Sequence, residues 1–149
     1  MGMFDAFDIS ASALTAERMR MDVTAENLAN AQTTRTADGG PYRRKEVVLQ
    51  EVAKGGGFAG SLRVAMGAGN AGRPGGVEVA GIAEDSTPNK MVYDPGHPDA
   101  DAQGYVAMPN VDSVTEMVDL ISASRAYEAN VTALQSAKTM FSKTLDLLR

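Results

Sequence analysis

The chain is 149 residues long, carries a formal charge of −5 and contains no cysteine, which excludes a disulfide framework, a thiolate metal site and a thiol nucleophile. The acidic balance argues against a nucleic-acid partner, because phosphate binding rests on clustered Lys and Arg. With no Trp and nine Met, the apolar content comes mainly from Ala, Val, Leu and Met, which suits helix seams better than a thick sandwich core.

Asp5, Asp8, Glu17 and Arg18 interrupt the N-terminal apolar run, so no cleavable signal peptide is expected. No segment holds the roughly 18 uncharged apolar residues of a membrane span. Instead, Phe4, Phe7, Ala11, Leu14, Arg18, Met21, Ala25 and Leu28 follow alternating three and four spacings, the a/d pattern of a coiled-coil helix. No Gly or Pro lies between Phe4 and Arg35, and Asp38-Gly39-Gly40-Pro41 is a strong breaker. The spacing predicts a helix from Phe4 to about Ala31 inside an N-terminal segment 1–34.

Residues 35–110 read as a small antiparallel β domain. Strands are expected at Tyr42 to Val52, Ser61 to Met66, Gly76 to Ala83, Met91 to Tyr93 and Tyr105 to Met108, separated by Gly, Pro, Asn and Asp. A bulge is expected at Ala80-Gly81, and 53–76 is a Gly-rich loop. The basic cluster Arg43, Arg44 and Lys45 reads as a gatekeeper on an exposed strand edge rather than a polyanion site.

Two motifs in this region have the letters of a functional site but not its surroundings. Gly67-Ala68-Gly69-Asn70-Ala71-Gly72 matches the dinucleotide fingerprint, but Arg73-Pro74-Gly75-Gly76 follows, where the mechanism needs the first turn of a helix. Asp94, His97, Asp99 and Asp101 fit neither a calcium-loop nor a zinc spacing. Asp residues in such a turn commonly bond their own backbone. His97 has no Ser or Cys partner in a triad-type signature, so no catalytic, cofactor-binding or metal-ligating residue is assigned and no small-molecule substrate is expected.

After the breaker Pro109-Asn110 the helical period returns, in a C-terminal segment 111–149. Met117, Leu120, Ser124, Tyr127, Val131, Leu134, Lys138, Phe141, Leu145 and Leu148 form the stronger seam. Asp112 and Ser113 are candidate N-caps, and Ser113 with Glu116 has capping-box spacing. About 36 residues at 1.5 Å each span on the order of 54 Å, more than one small domain needs. Val114, Val118 and Ile121 make a second apolar row. The fold class is therefore α+β, with long N- and C-terminal helices packing as a coiled coil and a small antiparallel β domain between them. The contacts expected to face neighbouring chains are Leu14, Met21 and Leu28 on the first helix, with Met117, Leu120, Tyr127, Val131, Leu134, Phe141, Leu145 and Leu148 on the second. Exposing several such side chains would forgo about 1.5–3 kcal/mol each.

The end of the first helix, Ala25-Glu26-Asn27-Leu28-Ala29-Asn30-Ala31-Gln32-Thr33-Thr34, resembles the signature of flagellar rod, hook and hook-associated proteins, with Asn27, Leu28, Ala29 and Asn30 as its core. Ile121-Ser122-Ala123-Ser124-Arg125-Ala126-Tyr127-Glu128-Ala129-Asn130-Val131 is similar to the matching C-terminal signature. The run from Val92 to Asp101, with Gly104-Tyr105-Val106 and Met108-Pro109-Asn110-Val111-Asp112, resembles the proximal-rod members. The resemblance implies a structural axial subunit with no cofactor, exported through the flagellar type III export apparatus without signal cleavage and assembled in the periplasmic rod. Its implied partners are other copies of itself and the rod proteins FlgB, FlgF, FlgG and FliE. A reading from another class is a soluble coiled-coil export adaptor or chaperone, which would show cooperative helix as a dilute monomer or dimer.

Overall fold

The computed structural model describes residues 3–37, 39–54, 66 and 73–147. Among them the elements run α1 (Met3–Ala29), β1 (Lys45–Lys54), β2 (Arg73–Glu84), β3 (Lys90–Tyr93), β4 (Tyr105–Met108) and α2 (Ser113–Leu147). This is the α+β arrangement that the sequence predicts, with a small antiparallel β region between two terminal helices. The strand expected at Ser61 to Met66 and the Gly67 to Gly72 motif lie outside the described residues, apart from Met66, an exposed turn residue.

α1 stops two residues short of the expected Ala31, and the cause is Asn30 rather than the distant Gly-Gly-Pro. Its backbone N–H and its Nδ2 both donate to the Glu26 carbonyl at 3.0 Å, and its Oδ1 accepts from the Thr33 hydroxyl at 3.1 Å. Ala31 N–H turns to the Leu28 carbonyl three residues back, the tightened last turn that satisfies orphan carbonyls at a helix end. The chain then reverses through Thr36 and Gly39, whose φ of +81° suits the residue type. Tyr42 N–H closes the loop on the Thr33 carbonyl at 3.1 Å.

β1 and β2 form a two-stranded sheet, and Asp85 N–H donates to the Arg44 carbonyl at 2.8 Å at its open end. β2 starts three residues earlier than predicted and runs without a break through Ala80-Gly81. β3 and β4 pair antiparallel with Val92 opposite Val106 and Tyr93 opposite Tyr105. The two tyrosine rings meet edge to face with centroids 5.3 Å apart.

The chain divides into two compact units, and both helices contribute to each. Among the described residues, one unit comprises 3–18, 49–54, 66, 73–80 and 125–147. In it Ser12 Oγ donates to the Ile9 carbonyl at 2.8 Å and accepts from Val77 N–H at 3.1 Å. Gly76 sits above this contact with φ +94°, and a Cβ there would collide with Ser12 Oγ. Ala16 is the buried apolar side chain described in this unit, while Met140, Phe141 and Leu145 remain exposed. The other unit, 19–37, 39–48 and 81–124, holds the better core, with Val23, Tyr42, Val106, Val111 and Ala123 buried.

Candidate assembly site

The second unit is organised around Asn27, which is only 1% exposed. Its amide uses both ends. Nδ2 donates to the Lys45 carbonyl at 2.8 Å and to Glu116 Oε2 at 3.1 Å, while Oδ1 accepts from Lys45 N–H and the Tyr42 hydroxyl, each at 2.9 Å. One side chain at the end of α1 thereby fixes the first residue of β1 and the first turn of α2. A buried amide with its partners in place stabilises and also specifies a single register, since any shift leaves several groups unsatisfied.

Glu116 is equally buried. It also accepts from Arg44 Nε at 2.5 Å, so its carboxylate is charge-compensated and hydrogen-bonded at both oxygens, the condition under which a buried charge is tolerated. Arg44 further pairs with Glu46 and with Asp119, and its backbone N–H donates to Asn110 Oδ1 at 2.8 Å. Burial works to lower the Arg44 pKa, but the hydrogen bonds and charges of Glu116 and Glu46 outweigh it and hold the guanidinium above its ordinary value. Burial, then Glu26, pushes the Tyr42 phenol up from its ordinary 10.0. Lys45 is raised first by its hydrogen bond to Glu26, at 2.6 Å.

These contacts revise two sequence expectations. Arg44 acts as an internal anchor instead of an edge gatekeeper, Lys45 holds Asn27 through its backbone while its ammonium pairs with Glu26 at the surface, and Arg43 alone of the three is exposed. Glu116 spends its carboxylate on Asn27 and Arg44 rather than on a capping box, and Asp112 is the cap that the structure uses, accepting from Val114 N–H at 3.0 Å. Sequence reasoning named Asn27 as part of a signature but missed Tyr42, Arg44, Asn110 and Glu116 as its surroundings. The available signal was a charged residue, Glu116, one turn into an apolar helix.

The stripes divide differently. An α-helix turns about 100° per residue, so the buried Ala16, Val23 and Asn27 of α1 lie on the side roughly opposite Ala11, Arg18 and Ala25, which are exposed members of the expected seam. Leu14, Met21 and Leu28 occupy the flank and are half-buried, as is Asn30, whereas Ala29 is exposed. On α2 the buried positions are Glu116 and Ala123. Leu120, Tyr127, Val131 and Leu134 lie beside that line half-buried, while Met117, Phe141 and Leu145 are exposed and Leu148 lies outside the described residues. The second row, Val114, Val118 and Ile121, points away from the buried line at 66%, 60% and 54% exposure.

Around the Asp-rich turn the acceptors serve the chain itself. Asp94 Oδ1 takes Gly96 N–H, Asp101 Oδ1 takes Gln103 and Tyr105 N–H, and Asp99 Oδ2 takes the Thr34 hydroxyl. His97 Nδ1 accepts from Asp99 N–H at 3.1 Å. Among the described residues no group of three or more His, Cys, Asp or Glu side chains could hold a metal ion, and no helix is long and apolar enough to cross a membrane.

Two family models match the chain, one described as "Flagella basal body rod protein" over residues 7–35 and the other as "Flagellar basal body rod FlgEFG protein C-terminal" over residues 102–147. The sequence is 51% identical to the flagellar basal-body rod protein FlgC of Bacillus subtilis across 99% of both chains. It is 49% identical to that of an Escherichia coli O157:H7 strain across 99% of this chain and 98% of the relative. With FlgC of Borreliella burgdorferi the figure is 44%, across 100% and 99%. The chain belongs to the FlgC family of flagellar basal-body rod proteins. Its role is that of a structural rod subunit and not of an enzyme. Within FlgC-family terms, the N-terminal match contains Asn27 and the C-terminal match contains Glu116, so the 3.1 Å bond between those two side chains ties one matched segment to the other.

Proposed function

We propose that this rod subunit assembles into the proximal rod through its terminal helices, packed as a coiled coil, and contributes to the drive shaft and to the wall of the export channel. The observation that supports this most is the outward apolar surface of α2: Val114, Met117, Val118, Ile121, Met140, Phe141 and Leu145 are all exposed. Burying the 36–66% of each that is exposed would gain roughly 0.5–2 kcal/mol, and nothing among the described residues covers that part. Neighbouring copies, together with FlgB, FlgF, FlgG and FliE, are the covering partners in this reading. Export through the type III apparatus without signal cleavage precedes assembly in the periplasm, and helix formation at the termini is completed by neighbours, because an isolated helix is marginal in water.

The test uses residues whose exposure leaves the subunit fold intact. Ile121→Asp and Met140→Asp, at positions 54% and 63% exposed, should change the stability of the isolated subunit by less than about 0.5 kcal/mol, as exposed substitutions do, yet abolish rod assembly and swimming. Motile cells with normal basal bodies would refute the reading. The adaptor alternative has no support from the family, whose relatives are rod proteins.

A further inference from the structure

Two exposed helix faces of the second unit point to opposite sides. The contact between the helices is fixed by Asn27 on α1 and Glu116 on α2. Half a turn from Asn27 stand Asp22, Ala25 and Ala29, all exposed; half a turn from Glu116 stand Val114, Val118 and Ile121, also exposed. One face is apolar and projecting. The other is small-sided, so that a neighbouring helix can approach its backbone closely.

A row docking on its own counterpart would be an isologous contact, which closes after two copies, whereas a different surface on the next copy gives a heterologous contact that repeats into rings or filaments. The charges select both the surface and the direction. Along α1 the outward order is Arg18, Asp22, Ala25, Ala29; along α2 it is Val118, Ile121, Arg125, Glu128. Laid antiparallel, Val118 meets Ala29, Ile121 meets Ala25, Arg125 meets Asp22 and Glu128 meets Arg18. Laid parallel with the valines over the alanines, both charge pairs are lost. Arg18, Asp22 and Arg125 have no ionic partner among the described residues.

We propose that the Val118/Ile121 row of one copy docks antiparallel on the Asp22/Ala25/Ala29 face of the next copy, with Arg125 paired to Asp22, so that successive subunits join head to tail. This rests on the reading that the exposed helix faces are covered during assembly, and it names what covers one of them.

The absence of cysteine makes the test direct. A Val118→Cys/Ala29→Cys subunit is assembled into basal bodies and oxidised, since a disulfide requires Cα atoms within about 7 Å. A ladder of crosslinked subunits from the double variant, absent from both single variants, is the expected result. Crosslinking by Val118→Cys alone would mean row-on-row contact and would overturn the proposal, as would assembled rods of the double variant that do not crosslink. Charge reversal gives a second readout that does not need the thiols: Asp22→Arg and Arg125→Asp should each lose swimming, and the combination should regain it. Failure of the combination to regain swimming overturns the pairing. The Ile121→Asp outcome separates the levels: normal assembly sinks the underlying reading as well, while blocked assembly without crosslinks sinks only this inference.

Discussion

Removing the Asn27 side chain should be among the most damaging single changes available in this subunit. Asn27→Ala deletes two donated and two accepted hydrogen bonds, to Lys45 O, Glu116 Oε2, Tyr42 Oη and Lys45 N. A buried polar group left without a partner costs about 1–3 kcal/mol. Glu116 keeps Arg44, and water entering the vacated space would recover part of the rest, so the expected loss is about 3–5 kcal/mol, a large share of the roughly 5–15 kcal/mol that holds a typical domain together. Asn27→Asp is nearly isosteric but turns both donors into an oxygen facing the Lys45 carbonyl and the Glu116 carboxylate, and it should cost at least as much. Asn30→Ala is the control within the same signature: its amide adds a second donor to a carbonyl already bonded by its own N–H and accepts one hydroxyl, so about 1 kcal/mol or less is expected. Urea unfolding of the three purified variants, followed by circular dichroism, reads the order directly. If Asn27→Ala lies within about 1 kcal/mol of the parent, or Asn30→Ala costs as much as Asn27→Ala, the polar knot does not organise this unit.

Three other changes probe separate parts of the chain. Gly76→Ala forces a side chain onto φ +94° and against Ser12 Oγ. It should speed hydrogen exchange at Val77 N–H, and Ser12→Ala alone should do the same, because it removes the oxygen to which that N–H donates; unchanged exchange in both variants would contradict the contact. Asp112→Ala removes the cap on Val114 N–H and should cost about 1 kcal/mol, read as fraying confined to the first turn of α2. Tyr42 has its folded pKa raised above 10.0, so its contribution is fully present below 10.0 and lost as pH rises through the folded value. The parent should therefore lose stability above pH 10 by an amount that Tyr42→Phe does not show, and equal alkaline losses in the two proteins would contradict the assignment.

What the sequence made legible followed from patterns with one strong cause. Both helices are visible because three-four spacing runs uninterrupted between Gly- and Pro-containing breakers, and β4 was read to the residue because Gly104 and Pro109 bracket it. The phase of the helices was less legible. Ala, Thr and Asn can fill a close helix contact as readily as larger apolar residues, so the side that Ala16, Val23 and Asn27 bury carries a weaker apolar signal than the flank where Leu14, Met21 and Leu28 sit. The knot was hidden for another reason. Tyr42, Arg44 and Glu116 lie 15, 17 and 89 residues from Asn27 in sequence, and no local pattern reports that a folded chain brings them together. Glu116 in particular offered a plausible local partner in Ser113, and the tertiary contact with Arg44 and Asn27 prevailed.

The central claim is that the outward faces of the helices are completed by neighbouring subunits, and hydrogen exchange compared between dilute subunit and intact basal bodies tests it most directly. The claim predicts slow exchange around Asn27 and Lys45 in both samples, with amides of residues 130–147 exchanging fast in the subunit and becoming protected in the rod. Equal protection of that stretch before and after assembly would mean that the chain shields its own helices, and the claim would fail.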